Sequence, residues 1–134
     1  MSDLAEIRDE FEFLEDRDDR YRLLIDLGRQ LEPMPEALKT ETTLVRGCNA
    51  KVWVYPTPST GEKLHFLADS NSELTKGIIA LILKIVQNKS PEEIRKADIE
   101  GELAPFDLKN QLSSNRTQGI PNMIALIRET AGRY

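Results

Sequence analysis

The chain has 134 residues, 40% hydrophobic and 31% charged, the length and balance of one globular domain. Its 18 Lys and Arg against 23 Asp and Glu leave a formal charge of -5, a poor electrostatic match for a phosphate backbone, so nucleic acid is not expected as a partner. One Cys and one His allow no internal disulfide and no zinc site of the usual kind, and no apolar run reaches the roughly eighteen residues a membrane helix needs.

The opening MSDLAEIRDEFEFLED is acidic and helical in pattern, unlike a signal or an arginine-rich transit peptide, so a cytoplasmic location is expected. Leu4, Ile7, Phe11 and Leu14 fall at helical spacing, with Ser2 or Asp3 as N-cap. The charges of EDRDDR (15–20) interrupt that pattern as a solvated junction. Tyr21, Leu24, Leu27 and Leu31 then form a second stripe, ended by Pro33 and Pro35.

The period changes in the middle. ETTLV (41–45), KVWVY (51–55) and KLHFLA (63–68) are rich in strand-forming residues, with polar turns around Gly47 and in PTPSTGE (56–62). Such short connections favour an antiparallel meander, with Cys48 in the loop between the first two strands. In DSNSE, Ser70 and Glu73 are spaced as a capping box ahead of Leu74, Ile78, Leu81, Ile82 and Ile85. The wide apolar arc of GIIALILKIV (77–86), interrupted only by Lys84, predicts a central helix buried on the sheet.

SPEE repeats the cap, with Ser90, Pro91 at the first helical position and Glu93 closing the box. GELAPFDLKNQLSSN (101–115) reads mostly as loop. Ile120, Met123, Ile124 and Ile127 predict a last helix, which Pro121 either starts or, if it began near Asn115, kinks. No repeat, low-complexity tract or linker divides the chain. The fold class is α+β, a three-stranded antiparallel sheet with helices packed on one side, in a single domain over 1–134.

Several motifs have plain structural readings. TPSTGEK lacks the spacing of a phosphate-binding loop. The sequons at Asn88 and Asn115 lack a secretory context. Glu92 and Glu93 complement a helix dipole in a first turn. His65, in a strand, reads as a structural residue rather than a base.

Cys48 is different. A lone cysteine is commonly a small hydrophobe filling a gap. Arg46, Gly47, Asn49 and Lys51, however, are not the neighbours of a core position, and Gly47 and Asn49 both tolerate the left-handed backbone of a tight turn. The residues alone leave open whether the thiol is inert filler or reactive. No base beside it is evident, and an unperturbed thiol is only about 3% thiolate at neutral pH.

VRGCNAKVW (45–53) resembles the G-C-x-S-x-V-W signature of the SufE-like family, sulfur acceptors of cysteine desulfurases. The likeness extends over almost the whole chain. IDLGRQL (25–31) and the MPE that follows resemble the family's second helix and its approach to the sheet. ADSNSELTKGIIALIL is similar to its D-S…K-G stretch, with Asp69, Ser70, Lys76 and Gly77 aligned. LSSNRTQGIPNMIALIR is similar to its closing S-R-x-x-G…M helix, with Arg116 and Gly119 matching.

The resemblance implies that Cys48 takes the outer sulfur from a persulfide on a pyridoxal-phosphate desulfurase and passes it to an iron–sulfur cluster scaffold. It implies an activator of that desulfurase rather than a stand-alone enzyme, binding neither pyridoxal phosphate nor a cluster itself. The implied fold is related to that of scaffolds of the IscU type. Arg116 is expected to assist docking or thiol positioning, with Asp69, Gly47 and Arg46 in support, while Val52 and Trp53 hold the loop's base. Cys48 is expected to pack back over the sheet when idle and swing out on docking, the partner completing thiolate activation.

Ala50 departs from the family's serine, removing a hydroxyl from the loop, and Pro121 follows the Arg116–Gly119 motif closely enough to affect its placement. Two alternatives stand beside this reading: a partner-binding regulatory module with an inert cysteine, and a thiol enzyme using Cys48 with His65 as base. Monomer and homodimer are both compatible with the sequence.

Overall fold

The stripe on Leu4, Ile7 and Phe11 forms helix α1 (Leu4–Phe13), with Ile7 and Phe11 buried. The computed structural model describes residues 4–48, 50–58, 62–111 and 119–134, so the expected N-caps Ser2 and Asp3 lie outside the described residues. The charged cluster after α1 is not a mere interruption. It starts α2 (Arg17–Arg29): the Asp16 carboxylate caps the helix by accepting from the Asp18 N–H at 2.8 Å, and Asp18 and Asp19 complement the dipole of the first turn. Arg20 turns back, donating through Nε to the Phe11 and Leu14 carbonyls at 3.2 and 2.6 Å and lying 5.0 Å from the centre of the Phe11 ring. Its charge thus satisfies carbonyls that the end of α1 leaves open.

Among the described residues two strands form, not the expected three: β1 (Val52–Pro58) and β2 (Leu64–Ser70), antiparallel, with Trp53 opposite Asp69. The 41–45 segment contributes only a single bridge, Leu44 to Trp53, flanked by Val45 N–H to Val52 O at 2.8 Å and Val54 N–H to Thr43 O at 2.9 Å. Both ends of this segment explain the shortfall. At its start, the Thr43 hydroxyl donates to the Leu38 carbonyl at 2.6 Å and the Leu44 N–H to Thr40 O at 3.1 Å, local turns that compete with a ladder. On the partner side, the bonds of Val52 and Val54 point away from β2, so Pro56 and Pro58 fall on that same outer edge and bring no N–H to it. PTPSTGE, read as a turn, is therefore strand as far as Pro58, and residues 59–61 lie outside the described residues.

The outer edge of β2 is covered differently. Leu64 exchanges backbone bonds with Asn88 and Lys89, and the Gln87 amide imitates a further strand residue, accepting from Phe66 N–H at 2.7 Å and donating to Phe66 O at 2.8 Å. On the buried face, Val54 and Ala68 meet Ile79 and Ile82 of α3 (Glu73–Val86) and Met123 and Ile127 of α7 (Ile120–Gly132).

Helix α3 is the central helix its apolar arc predicts, with every residue from Gly77 to Leu83 buried. Its cap is Ser72, accepting from Thr75 N–H at 3.3 Å, rather than Ser70. Ser70 ends β2, which runs two residues beyond the expected Ala68, and its hydroxyl accepts from the Ser72 N–H instead. Helix α2 lies backbone to backbone on α3. A Cβ on Gly28 would stand 2.7 Å from the Gly77 nitrogen, and one on Gly77 would overlap the Leu24 carbonyl oxygen.

The Ser90–Glu93 capping box opens α4 (Pro91–Lys96) as expected. Residues 101–111, read as loop, are instead short helical turns: the end of α5 (Ile99–Leu103), a 3-10 turn (Ala104–Phe106) and α6 (Leu108–Gln111). Gly101 and Pro105 disguised them, but Ile99, Leu103, Phe106 and Leu108 are all buried, and the Phe106 ring meets Phe11 edge-on at 5.2 Å. Residues 112–115 lie outside the described residues. Pro121 occupies the first turn of α7, where a missing N–H leaves no helical bond unmade. Arg128 of α7 forks onto Glu100 at 2.6 and 2.7 Å, and Arg95 donates to the Ala131 carbonyl at 3.0 Å, fixing that helix in place.

Candidate functional site around Cys48

Between the Leu44 bridge and β1, the chain makes a short excursion that carries the thiol. Gly47 has φ +82°, the left-handed conformation its lack of a Cβ permits. Asn49, the other expected turn residue, lies outside the described residues. The loop returns to the sheet at Lys51, whose N–H donates to Asn71 Oδ1 at 3.0 Å and whose carbonyl accepts from the Asn71 N–H at 3.2 Å. This clasp holds the loop's exit, where Ala50 supplies no hydroxyl.

Cys48 is half-buried, and its thiol rests against the start of α7. The S–H donates to the Gly119 carbonyl, with sulfur and oxygen 3.7 Å apart. Gly119 is buried, and the space a side chain would occupy there holds the Cys48 sulfur. Gly47 in turn lies against the Asn122 side chain. Two turns distant in sequence by about 70 residues therefore interlock through glycines.

Burial pushes the Cys48 thiol above its ordinary pKa. The folded chain is thus expected to react with iodoacetamide several-fold more slowly at neutral pH than the denatured chain, with a rate that climbs at higher pH than for a free thiol. Stopped alkylation read by mass checks this, and equal rates in the two states would refute it.

The expected supporting residues are distributed unevenly. Arg46 is exposed and pairs loosely with Glu41 at 3.6 Å, close to Cys48 in sequence but directed to solvent. Arg116 lies outside the described residues. His65 is not brought to the thiol: its Nε2 meets Glu32 Oε1 at 2.5 Å and its Nδ1 meets Asn88 Oδ1 at 2.8 Å, a structural engagement of both ring nitrogens.

Asp69 is the best-connected of the expected residues. It receives Lys39 Nζ at 2.7 Å, Lys76 Nζ at 3.3 Å and the Ser70 N–H at 2.8 Å. Burial raises its carboxyl pKa, but the Lys39, Ser70 and Lys76 contacts outweigh that and leave it below the usual carboxylate range. The Lys39 ammonium also sits 5.6 Å from the Trp53 ring. Asp69 thereby ties the segment leading to Cys48 to the sheet and to α3.

Because this carboxyl is depressed in the folded state, its stabilisation is complete above the unfolded pKa of about 3.9 and is lost as pH falls through the folded value. Asp69→Asn is expected to lower stability at pH 7 and to flatten the acid limb of the stability profile. Urea unfolding between neutral and acidic pH reads both effects, and parallel curves for variant and wild type would contradict the assignment.

Lys39, Asn71, Gly119 and Asn122 complete the surroundings of the loop and were not assigned to the site from sequence, although Gly119 stood in a matched motif. Lys39 follows a proline-rich stretch with no periodicity, and its partner is thirty residues away. Among the described residues, no group of three or more His, Cys, Asp or Glu side chains comes together as a metal site would, and no helix is long and apolar enough to cross a membrane.

The family model SufE, an Fe-S metabolism associated domain, matches residues 5–131. The chain is 36% identical to an uncharacterised SufE-like protein of Rhizobium meliloti (strain 1021), covering 98% of this chain and 96% of that protein. It is 36% identical to the sulfur acceptor protein CsdE of Escherichia coli (strain K12), over 85% of this chain and 78% of that one. Identity to the cysteine desulfuration protein SufE of Wigglesworthia glossinidia brevipalpis is 31%, over 90% and 84%. The solution structure of a hypothetical protein from Thermus thermophilus shares the fold, with a TM-score of 0.75 over 97% of this chain and 93% of that one at 17% identity.

Proposed function

The chain belongs to the SufE family, and from that membership we propose that it is a sulfur acceptor for a cysteine desulfurase, with Cys48 as the carrier. The observation that supports the assignment most directly is the position of the chain's one thiol: on a loop that turns at a left-handed glycine, attached to the sheet at both ends. Such a loop can deliver its tip into another protein's site while the sheet stays intact.

The transfer needs no external oxidant. The Cys48 thiolate attacks the outer sulfur of the partner's cysteine persulfide. The new S–S bond forms as the old one breaks, and the partner's cysteine leaves as a thiolate that takes up a proton. Cys48 now holds the persulfide, the desulfurase is free for another turnover, and its rate rises because its own persulfide has been cleared. The same exchange then passes the sulfur to an iron–sulfur cluster scaffold. Pyridoxal phosphate belongs to the partner, and this chain binds neither that cofactor nor a cluster.

A base inside this chain is not required. The thiol is protonated in its resting position, and a basic group in the partner's site accepts its proton once the loop has left Gly119. Arg116 and the exposed Arg46 serve docking in this scheme.

The test is intact mass after incubation with a cysteine desulfurase and L-cysteine. The expected result is a gain of one or more sulfur atoms on Cys48, reversed by reductant. A folded, accessible thiol that gains no sulfur, while the chain still raises desulfurase turnover, would replace the carrier with a partner-binding module.

A further inference from the structure

We infer that the hollow at the outer edge of β2, between α2 and α3, is a binding site for a small primary carboxamide with an apolar body. The site stands apart from the thiol: none of the residues lining it belongs to the Cys48 loop or to α7.

The register of the sheet leaves one edge residue of β2 unserved. The bonds between the strands are made by Trp53, Tyr55 and Thr57 with Asp69, Leu67 and His65. The backbone groups of Leu64, Phe66, Ala68 and Ser70 therefore point away from β1. Leu64 exchanges bonds with Asn88 and Lys89, and the Gln87 amide takes both groups of Phe66. The Ser70 N–H donates to Asp69 Oδ1 at 2.8 Å. Ala68 is the exception. Its N–H and C=O have no partner among the described residues, although the residue is only 3% exposed. Buried backbone groups are nearly always paired, because an unmade bond there costs the full desolvation of the group.

Ala68 borders a cavity of about 340 Å³, at the lower end of the roughly 300–1,000 Å³ typical of small-molecule pockets. Leu27, Leu31, Phe66, Ala80 and Leu83 give it apolar walls. The exposed Gln30, Glu32 and Asn88 stand at its mouth.

The ligand class follows from the neighbouring position. Gln87 shows that a single primary amide serves one edge residue, accepting from its N–H at 2.7 Å and donating to its C=O at 2.8 Å. Ala68 offers the same pair of groups two residues further along the strand. A carboxamide on an aliphatic or aromatic body would bond Ala68 and bury that body against the leucines. An added strand fits less well, because Gln87 already holds the adjacent position. A carboxylate has no donor for the Ala68 carbonyl.

The test is a titration of phenylacetamide into the chain at neutral pH, read by NMR of backbone amides and leucine methyls. Saturable shifts are expected at the Ala68 N–H and at the Leu27, Leu31 and Leu83 methyls, with a Kd of about 1 mM for so small a ligand. Hydrogen exchange of the Ala68 N–H slows in proportion to occupancy. N,N-dimethylphenylacetamide keeps the ring and the oxygen but has no N–H, and is expected to bind at least about fivefold more weakly for the lost hydrogen bond.

Ala80→Leu fills the hollow and is expected to abolish the shifts. If it does not fold, Ala68→Pro removes an N–H that makes no ladder bond, and is expected to weaken phenylacetamide by about the same fivefold. Equal affinity for the two amides, or shifts that spare Ala68, overturn the carboxamide assignment. The absence of any saturable shift overturns the site.

Discussion

Cys48→Ser is expected to acquire no sulfur from a desulfurase and L-cysteine, and to lose the whole of the stimulation that depends on clearing the partner's persulfide. The loss is total rather than graded because the chain holds no second thiol to take over. A hydroxyl is a very weak acid and does not form a stable counterpart of a persulfide under these conditions. The substitution is also gentle: oxygen is smaller than sulfur, fits the seat beside Gly119, and donates to the same carbonyl. Stability within about 0.5 kcal/mol of wild type is expected, as for substitutions away from large packing effects. Full stimulation by Cys48→Ser would show that docking alone activates the desulfurase. Sulfur on the variant would mean that Cys48 is not the acceptor.

The second large effect concerns the fold. Gly77→Val is expected to destabilise the chain by about 3 kcal/mol, near the upper end of overpacking in a core, out of a total of about 5–15 kcal/mol for a typical domain. The added atoms meet backbone, not a yielding side chain: the Leu24 carbonyl oxygen is overlapped, and its carbon stands 2.6 Å from the new Cβ. Gly77→Ala is the sharper measurement. Alanine in a helix interior normally gains about 1 kcal/mol over glycine, yet here the clash is expected to reverse the sign. Urea unfolding of both variants, with unchanged m-values, checks the prediction. A more stable Gly77→Ala would show that α2 and α3 do not touch backbone to backbone.

Much of this architecture was legible where one element repeats one period. The apolar arc of α3, the Ser90–Glu93 box and the strand-forming residues of KLHFLA each carry their own signal, and each appears as read. The failures came where tertiary partners outvoted local pattern. ETTLV has strand-forming residues, but a third strand needs donors opposite it, and Pro56 withholds one. The 99–111 turns are too short to show a helical period, and only their burial against α1 and α3 makes them regular. Ser70 had the right spacing for a cap but was consumed by β2. Around Cys48, the loop was visible from Gly47, while its seat was not, because Gly119 and Asn122 reach it only through the fold.

The prolines of β1 have a consequence beyond the count of strands. An open sheet margin is a template on which a second copy or a stray peptide can add itself, and repeated addition is how fibrous aggregates grow. Beyond Val54, an arriving strand would find carbonyls but no N–H groups at Pro56 and Pro58. On the opposite margin, the Gln87 amide already occupies both polar groups of Phe66. Recruitment of further strands, and with it polymer growth, is thus discouraged along both sides.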